Sequence, residues 1–248
     1  MYLLETRALS QRFGSFHALR NVALQVRPAS VHALIGPNGA GKSTLLNLLA
    51  GATRPVGGSI WLDGRDITAL PVHRRARLGI GRSYQVVRLF EGLTCLQAAE
   101  LAVQRDLPWR EWVLPAGRRR VREQAHALLQ QWRLGSWAEV ETSSLAHGIQ
   151  KRLEIALALA NESRLLLLDE PMAGLTTQER AELADVIREL ARDKAIVFVE
   201  HDIDMVMALA DRVTVLHNGE ILAEGTPQEV RAHAAVRAAY LHKEAAHA

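Results

Sequence analysis

A single cysteine, Cys95, occurs in 248 residues. One thiol builds neither a disulfide framework nor a thiolate metal site, so a reducing, cytosolic compartment is expected. Excess charge is equally scarce. Thirty Lys and Arg stand against 27 Asp and Glu, a net charge of +3, too balanced to argue for a nucleic-acid partner. No run approaches the roughly eighteen apolar residues a membrane-spanning helix requires, and the N-terminus carries no basic-then-apolar signal segment. The chain is therefore expected to be soluble, with any membrane crossing left to another chain. Internal repeats and low-complexity tracts are missing, and the ten histidines show no metal-ligand spacing. What is abundant is apolar residues, 48% of the chain, ample for one large domain or a domain with a sizeable subdomain.

Between Gly36 and Thr44 the chain reads Gly36-Pro37-Asn38-Gly39-Ala40-Gly41-Lys42-Ser43-Thr44, which fits the phosphate-loop pattern of Gly, four free positions, Gly, Lys, then Ser or Thr. Val31 to Ile35 before it read as a short buried strand. Leu45 to Ala50 after it read as a helix closed by Gly51, where left-handed dihedrals are wanted. Glycines let the backbone wrap close to an anion, with successive N–H groups at the positive end of a helix. Lys42 adds a point charge for the outer phosphates, and the Ser43 hydroxyl is placed to ligate Mg2+. These residues predict that the chain binds a nucleoside triphosphate.

Short alternating or apolar runs dominate the first part: Tyr2 to Phe13, Ala18 to Val26, Val31 to Ile35 and Ser59 to Leu62. From about Leu93 to Trp137 the pattern becomes long and helical, interrupted by a Pro-bounded insert from Pro108 to Pro115. Strand and helix then alternate: Leu165 to Leu168, Thr177 to Arg192, Ala195 to Glu200, Ile203 to Ala210 and Arg212 to Leu216. That alternation predicts an α/β fold, a parallel sheet covered by helices with a helical subdomain interrupting it. The expected division is one domain over 1–248, with a core of 1–90 and 160–248 and a helical part of about 91–159.

Leu165-Leu166-Leu167-Leu168-Asp169-Glu170 is a run of apolar residues ending in two acids. Four leucines fit a strand buried on both faces, and paired acids at its end are costly to bury unless a cation lies beside them. Ligands of parallel α/β sheets gather at the carboxyl ends of strands, the edge from which the phosphate loop emerges. Asp169 is expected to hold Mg2+, and Glu170 to lie where a water attacks the terminal phosphate. His201 follows another apolar strand, Ala195 to Glu200, and is expected on the same edge. Gln85, just before the helical segment, offers a carboxamide to a cation and to an attacking water.

The order of these elements resembles that of the ATP-binding subunits of ABC (ATP-binding cassette) transporters, over essentially the whole chain. The resemblance implies a P-loop NTPase core with an N-terminal antiparallel β part and ATP and Mg2+ as ligands. It implies that Phe13 stacks on adenine, that Glu170 is the general base, and that His201 contacts the γ-phosphate. Leu145-Ala146-His147-Gly148-Ile149-Gln150-Lys151-Arg152 matches the family's signature segment, which reaches ATP held by a second subunit. The implied partners are a second ATPase subunit, identical or related, integral membrane permease subunits and, indirectly, a substrate-binding protein. The implied location is the cytoplasmic face of the bacterial inner membrane. Val87-Arg88-Leu89-Phe90, Arg152-Leu153-Glu154-Ile155-Ala156, Ala173-Gly174-Leu175, Gly225-Thr226-Pro227 and Val236-Arg237-Ala238-Ala239-Tyr240-Leu241 resemble the importers of branched-chain and other hydrophobic amino acids. ATPases of urea and short-amide importers are similar. Soluble, non-transport relatives commonly join two cassettes or carry coiled-coil inserts, and this chain has neither.

Three positions depart from the family. Ala146 stands where the signature usually has Ser, Ile149 where it has Gln, and Thr176 where Asp or Asn follows Gly-Leu. These departures predict slowed rather than abolished hydrolysis at the site this chain completes for its partner. Trp109 and Trp112 are read as packing the helical part rather than docking on a membrane partner. Arg118, Arg119, Arg120 and Arg122 are read as a solvated helix face, and Cys95 as packing.

Overall fold

The computed structural model describes residues 1–83, 92–104, 114–158, 160 and 163–238. Gln85, Val87 to Phe90, Trp109, Trp112 and the tail from Ala239, with His242 and His247, lie outside the described residues.

The chain begins with β1 (Leu4–Phe13), β2 (Phe16–Val22) and the two-residue β3 (Gln25–Val26), followed by β4 (Ser30–Ile35) and helix α1 (Lys42–Ala50). β5 (Gly57–Leu62), β6 (Arg65–Asp66), α2 (Val72–Arg77) and β7 (Ile80–Arg82) come next. Among the described residues, the stretch expected to be helical holds the α-helices α3 (Cys95–Gln104), α4 (Pro115–Gln131) and α5 (His147–Ala158). The strand-helix alternation resumes with β8 (Leu165–Asp169), α6 (Thr177–Leu190), β9 (Ala195–Val199), α7 (Ile203–Leu209), β10 (Arg212–His217), β11 (Glu220–Gly225) and α8 (Pro227–Ala232).

Two sheets result. One runs β2-β1-β5-β6 with β3 also on β1, all antiparallel. The other runs β11-β10-β4-β9-β8-β7, parallel except for the β10–β11 hairpin. Alternation of side chains along each strand divides the interior into two cores. Leu165 and Leu167 of β8 pack with Leu34, Val197, Val199, α1 and the antiparallel sheet. Leu166 and Leu168 face the other way, with Val31, Ile35, Phe198 and apolar residues of α3 to α6. All four leucines are fully buried, each contributing roughly 1.5–3 kcal/mol, so the doubly buried strand expected from the leucine run is the one that forms.

Arg75 of α2 supports the arrangement from within. Its guanidinium, 1% exposed, donates to the carbonyls of Leu48 (2.6 Å) and Leu49 (2.8 Å) at the C-terminal end of α1, and to those of Thr68 and Leu70. A cation on the last carbonyls of a helix also meets the negative end of its dipole. No described helix is long and apolar enough to cross a membrane.

Candidate nucleotide site

The register across three strands decides which loops meet. Leu34 of β4 pairs with Val199 of β9, and Val199 pairs with Asp169 of β8. Gly36, Glu200 and Glu170 therefore leave adjacent strands within two residues of the same row, on one edge of the sheet.

Gly36 to Gly41 form the turn between β4 and α1. Gly39 and Gly41 take φ of 80° and 103°, and a Cβ on Gly41 would lie 2.5 Å from the Ala18 carbonyl oxygen and 2.7 Å from Leu19 Cδ2. A side chain there has neither the dihedral nor the space. Gly36 and Ala40 are buried, Pro37 is half-buried, and Asn38 and Gly39 are exposed. Lys42 is buried, its ammonium donating to the carbonyls of Gly36 (2.7 Å) and Pro37 (3.1 Å). Ser43 is exposed and Thr44 half-buried at the first turn of α1. Gly51 closes the helix with φ of 79°, as its position predicts.

Asp169 is 4% exposed, and its Oδ1 has no hydrogen-bond partner among the described residues. Burial pushes its carboxyl up from the ordinary aspartate range; Glu170 pushes the same way, and the charges of Arg82, Lys151 and Lys42 oppose. Arg82 Nη2 is 3.9 Å from Asp169 Oδ2. A buried, incompletely paired carboxylate facing the phosphate-loop lysine fits a divalent cation that the Ser43 hydroxyl would share.

Glu170 adopts φ of +49°, the left-handed region, at a cost of about 1–3 kcal/mol that its surroundings offset. Its N–H donates to the Val199 carbonyl at 3.0 Å, and its own carbonyl accepts from Ala173. The His201 Nε2–H donates to Glu170 Oε1 at 3.0 Å. The residue expected to act as general base and the one expected to contact the γ-phosphate are thus in direct contact.

The signature segment lies elsewhere. Ala146 caps α5, its carbonyl accepting from Ile149 and Gln150 at 3.0 Å each. Ala146 and His147 are exposed, and Gly148 is buried against Glu179. His147 Nε2 lies over Gly174. Among the described residues, no hydrogen bond joins 145–149 to 36–44. Phe13 ends β1, 53% exposed and paired in register with Phe16, itself 60% exposed.

Residues 19–173 match the family profile described as ABC transporter. The chain belongs to the ABC transporter family. Residues 220–241 of the cassette match a second profile, described as branched-chain amino acid ATP-binding cassette transporter. The cassette is 39% identical to the high-affinity branched-chain amino acid transport ATP-binding protein BraF of Pseudomonas aeruginosa, over 96% of this chain and 97% of that protein. It is 37% identical to the lipopolysaccharide export system ATP-binding protein LptB of Acidithiobacillus ferridurans, over 96% of each. Among solved structures, the ADP conformation of an ATP-binding cassette of an ABC transporter superposes with a TM-score of 0.85 at 27% identity, covering 97% of this chain and 99% of that one. A dimeric bacterial ABC transporter cassette superposes with a TM-score of 0.79 at 25% identity, covering 90% and 98%.

In this ABC cassette several positions act in ways the sequence reading passed over. Glu200, 5% exposed, accepts from the Met172 N–H (2.8 Å, Oε1) and the His201 N–H (3.3 Å, Oε2). Burial first, and then the nearby Glu170, push its carboxyl up, while the two N–H groups and His201 oppose. Its adjacency to His201 was the only signal available. Thr176, read as a departure, caps α6: it accepts from the Glu179 N–H, and Glu179 returns to its backbone in a capping box. Ile149, in the first turn of α5, is half-buried against the core, which explains an apolar residue there.

Proposed function

We infer that this chain is the ATP-hydrolysing subunit of an ABC importer, with branched-chain or other hydrophobic amino acids as the transported class. The observation that carries the catalytic part is the Glu170–His201 contact on the same sheet edge as the phosphate loop. In this reading the N–H groups of 36–44 cradle the phosphates of ATP, Lys42 neutralises the outer ones, and Phe13 stacks on the base. Ser43 and Asp169, with Gln85, would hold Mg2+, which when bound offsets phosphate charge. Glu170 orients the attacking water and accepts its proton, and His201 holds Glu170 and reaches the γ-phosphate.

Ala146, His147 and Gly148 sit apart from this chain's own phosphate loop, which supports a dimer in which each signature segment completes the other subunit's site. The dimeric solved cassette supports the dimer itself. Closure around ATP and reopening after hydrolysis would move permease subunits that span the membrane, with this chain attached at their cytoplasmic face. The core (1–90 and 160–248) and the helical part (about 91–159) are the bodies proposed to move against each other. Identity does not separate an amino-acid importer from an exporter, at 39% against 37%. The match over 220–241 favours the importer.

Phosphate release from Mg-ATP by the purified chain, compared with Glu170→Gln, tests the catalytic reading. The variant should retain ATP binding and lose about 100-fold or more in rate; an unchanged rate would remove Glu170 from the base role. ATP-dependent uptake of labelled leucine by cells with and without this chain tests the substrate class, and equal uptake would overturn it.

A further inference from the structure

One guanidinium bridges the two segments that carry Glu170 and His201. Arg180, in the first turn of α6, donates from Nε to the Leu175 carbonyl at 3.0 Å and from Nη1 to Asp202 Oδ2 at 3.0 Å. Leu175 belongs to the loop that leaves Glu170 and ends at the Thr176 cap. Asp202 directly follows His201, and its Oδ1 accepts from Met205 N at 3.1 Å, starting α7. The same two segments are joined deeper down, where Glu200 takes the N–H groups of Met172 and His201. Residues 171–176 and 200–202 are thus held together at two levels, Glu200 below and Arg180 above.

We propose that Arg180 is a positioning residue, whose fork fixes the loop after Glu170 against the segment after His201 and so sets the register of the Glu170–His201 contact. The inference rests on the reading of that pair as hydrolytic. Partly exposed ion pairs add little stability, and here the Arg180 side chain is about a third exposed and that of Asp202 about two fifths. Its geometry argues for position: two acceptors on two different segments, met by one rigid planar group. Lysine cannot reproduce it, because a point charge does not span a backbone carbonyl and a carboxylate in this way.

The test uses the full chain with Arg180→Met, Arg180→Lys and Asp202→Asn, which keeps an Asx cap on α7 but loses the charge. In Arg180→Met, kcat for Mg-ATP should fall about tenfold or more, from misplacement of the catalytic pair. KM should move less than about twofold, and the midpoint of thermal unfolding by less than about 4 °C. Arg180→Lys should not restore kcat, and Arg180→Met with Asp202→Asn should be no worse than either alone. Independently of activity, hydrogen exchange at the Met172 and His201 amides should quicken about fivefold in Arg180→Met and stay unchanged in Arg119→Met, a surface control. Normal kcat and normal exchange in Arg180→Met, or full rescue by Lys, would overturn the proposal. So would a fall in kcat that only tracks lost thermal stability; if Arg180→Met does not fold, Asp202→Asn carries the test. Should the unaltered chain fail to hydrolyse ATP, the functional reading fails, and amide exchange still decides whether Arg180 sets the register.

Discussion

His201 Nε2 and Glu170 Oε1 lie 3.0 Å apart, although 31 positions separate the residues in the chain. The contact exists because β8 and β9 are parallel neighbours in register, with Asp169 opposite Val199. Each side chain follows its strand by one or two residues, so the sheet fixes both at once. A carboxylate held by an imidazole N–H is oriented before any substrate arrives, which is what a base acting on water requires.

His201→Ala should therefore lower the rate of phosphate release by about 100-fold while leaving ATP affinity within about twofold. The double variant with Glu170→Gln should be little slower than Glu170→Gln alone, because the residues act as a unit. Steady-state phosphate release and equilibrium binding of a fluorescent ATP analogue measure both. Additive losses would mean that His201 acts without Glu170.

Ala146→Ser should act twice. A serine at this cap can accept from the first turn of α5, raising stability by about 0.5–2 kcal/mol. In the proposed dimer it would also restore a hydroxyl toward the partner's phosphate, and a charge-assisted hydrogen bond of about 1.5–3 kcal/mol would raise the ATPase rate of the assembled complex about tenfold or more. Ile149→Gln added to it should raise the rate further at some cost in stability, since Ile149 packs on the core. An unchanged rate in the assembled complex would show that the departures at Ala146 and Ile149 do not limit hydrolysis.

His32 gives the chain an acid-sensitive interior. It is 1% exposed, and its Nε2–H donates to Thr214 Oγ1 at 2.8 Å, whose hydroxyl donates to Glu224. Burial, aided by Arg212, lowers its pKa from 6.5 to about 3. Between those values the unfolded chain binds the proton and the folded one does not, so stability is present above pH 6.5 and is lost as pH falls. Linkage gives a loss of about 2 kcal/mol between pH 7 and pH 5 from this group. Urea denaturation at the two pH values should show that slope, and His32→Gln, which still donates to Thr214, should flatten it by that amount.

Arg75→Met should destabilise the chain by more than about 3 kcal/mol, because it takes a charged donor from the buried Leu48 and Leu49 carbonyls at the end of α1, the first then keeping only the Gly51 N–H, and from the half-buried carbonyls of Thr68 and Leu70. For a chain of this size that corresponds to roughly 6–12 °C in the unfolding midpoint. Burial lowers the Arg75 pKa to about 10, so the side chain stays charged at neutral pH. Arg75→Lys should rescue little, since one ammonium cannot meet four carbonyls arranged around a planar fork. A midpoint within about 2 °C of the unaltered chain would refute the role.

What the sequence determined by itself is whatever is written in contiguous residues. The glycine spacing from Gly36 to Gly41 dictates a turn only glycine can make, and the run Leu165 to Asp169 can be buried on both faces only as a central strand ending in an acid. The helix that begins at Lys42 is likewise local, announced by the glycines before it and Gly51 after it. The tertiary structure alone decided the roles of Glu200, Arg180, Arg75 and His32. In sequence each is an unremarked polar residue, and its partner lies 28 positions away for Glu200, 22 for Arg180, up to 27 for Arg75 and 182 for His32. It also changed the meaning of two departures, giving Thr176 a cap to make and Ile149 a core to fill. The reason is physical: dihedral and burial preferences act along the chain, whereas hydrogen bonds of buried polar groups are satisfied by whichever segment the sheet order brings alongside.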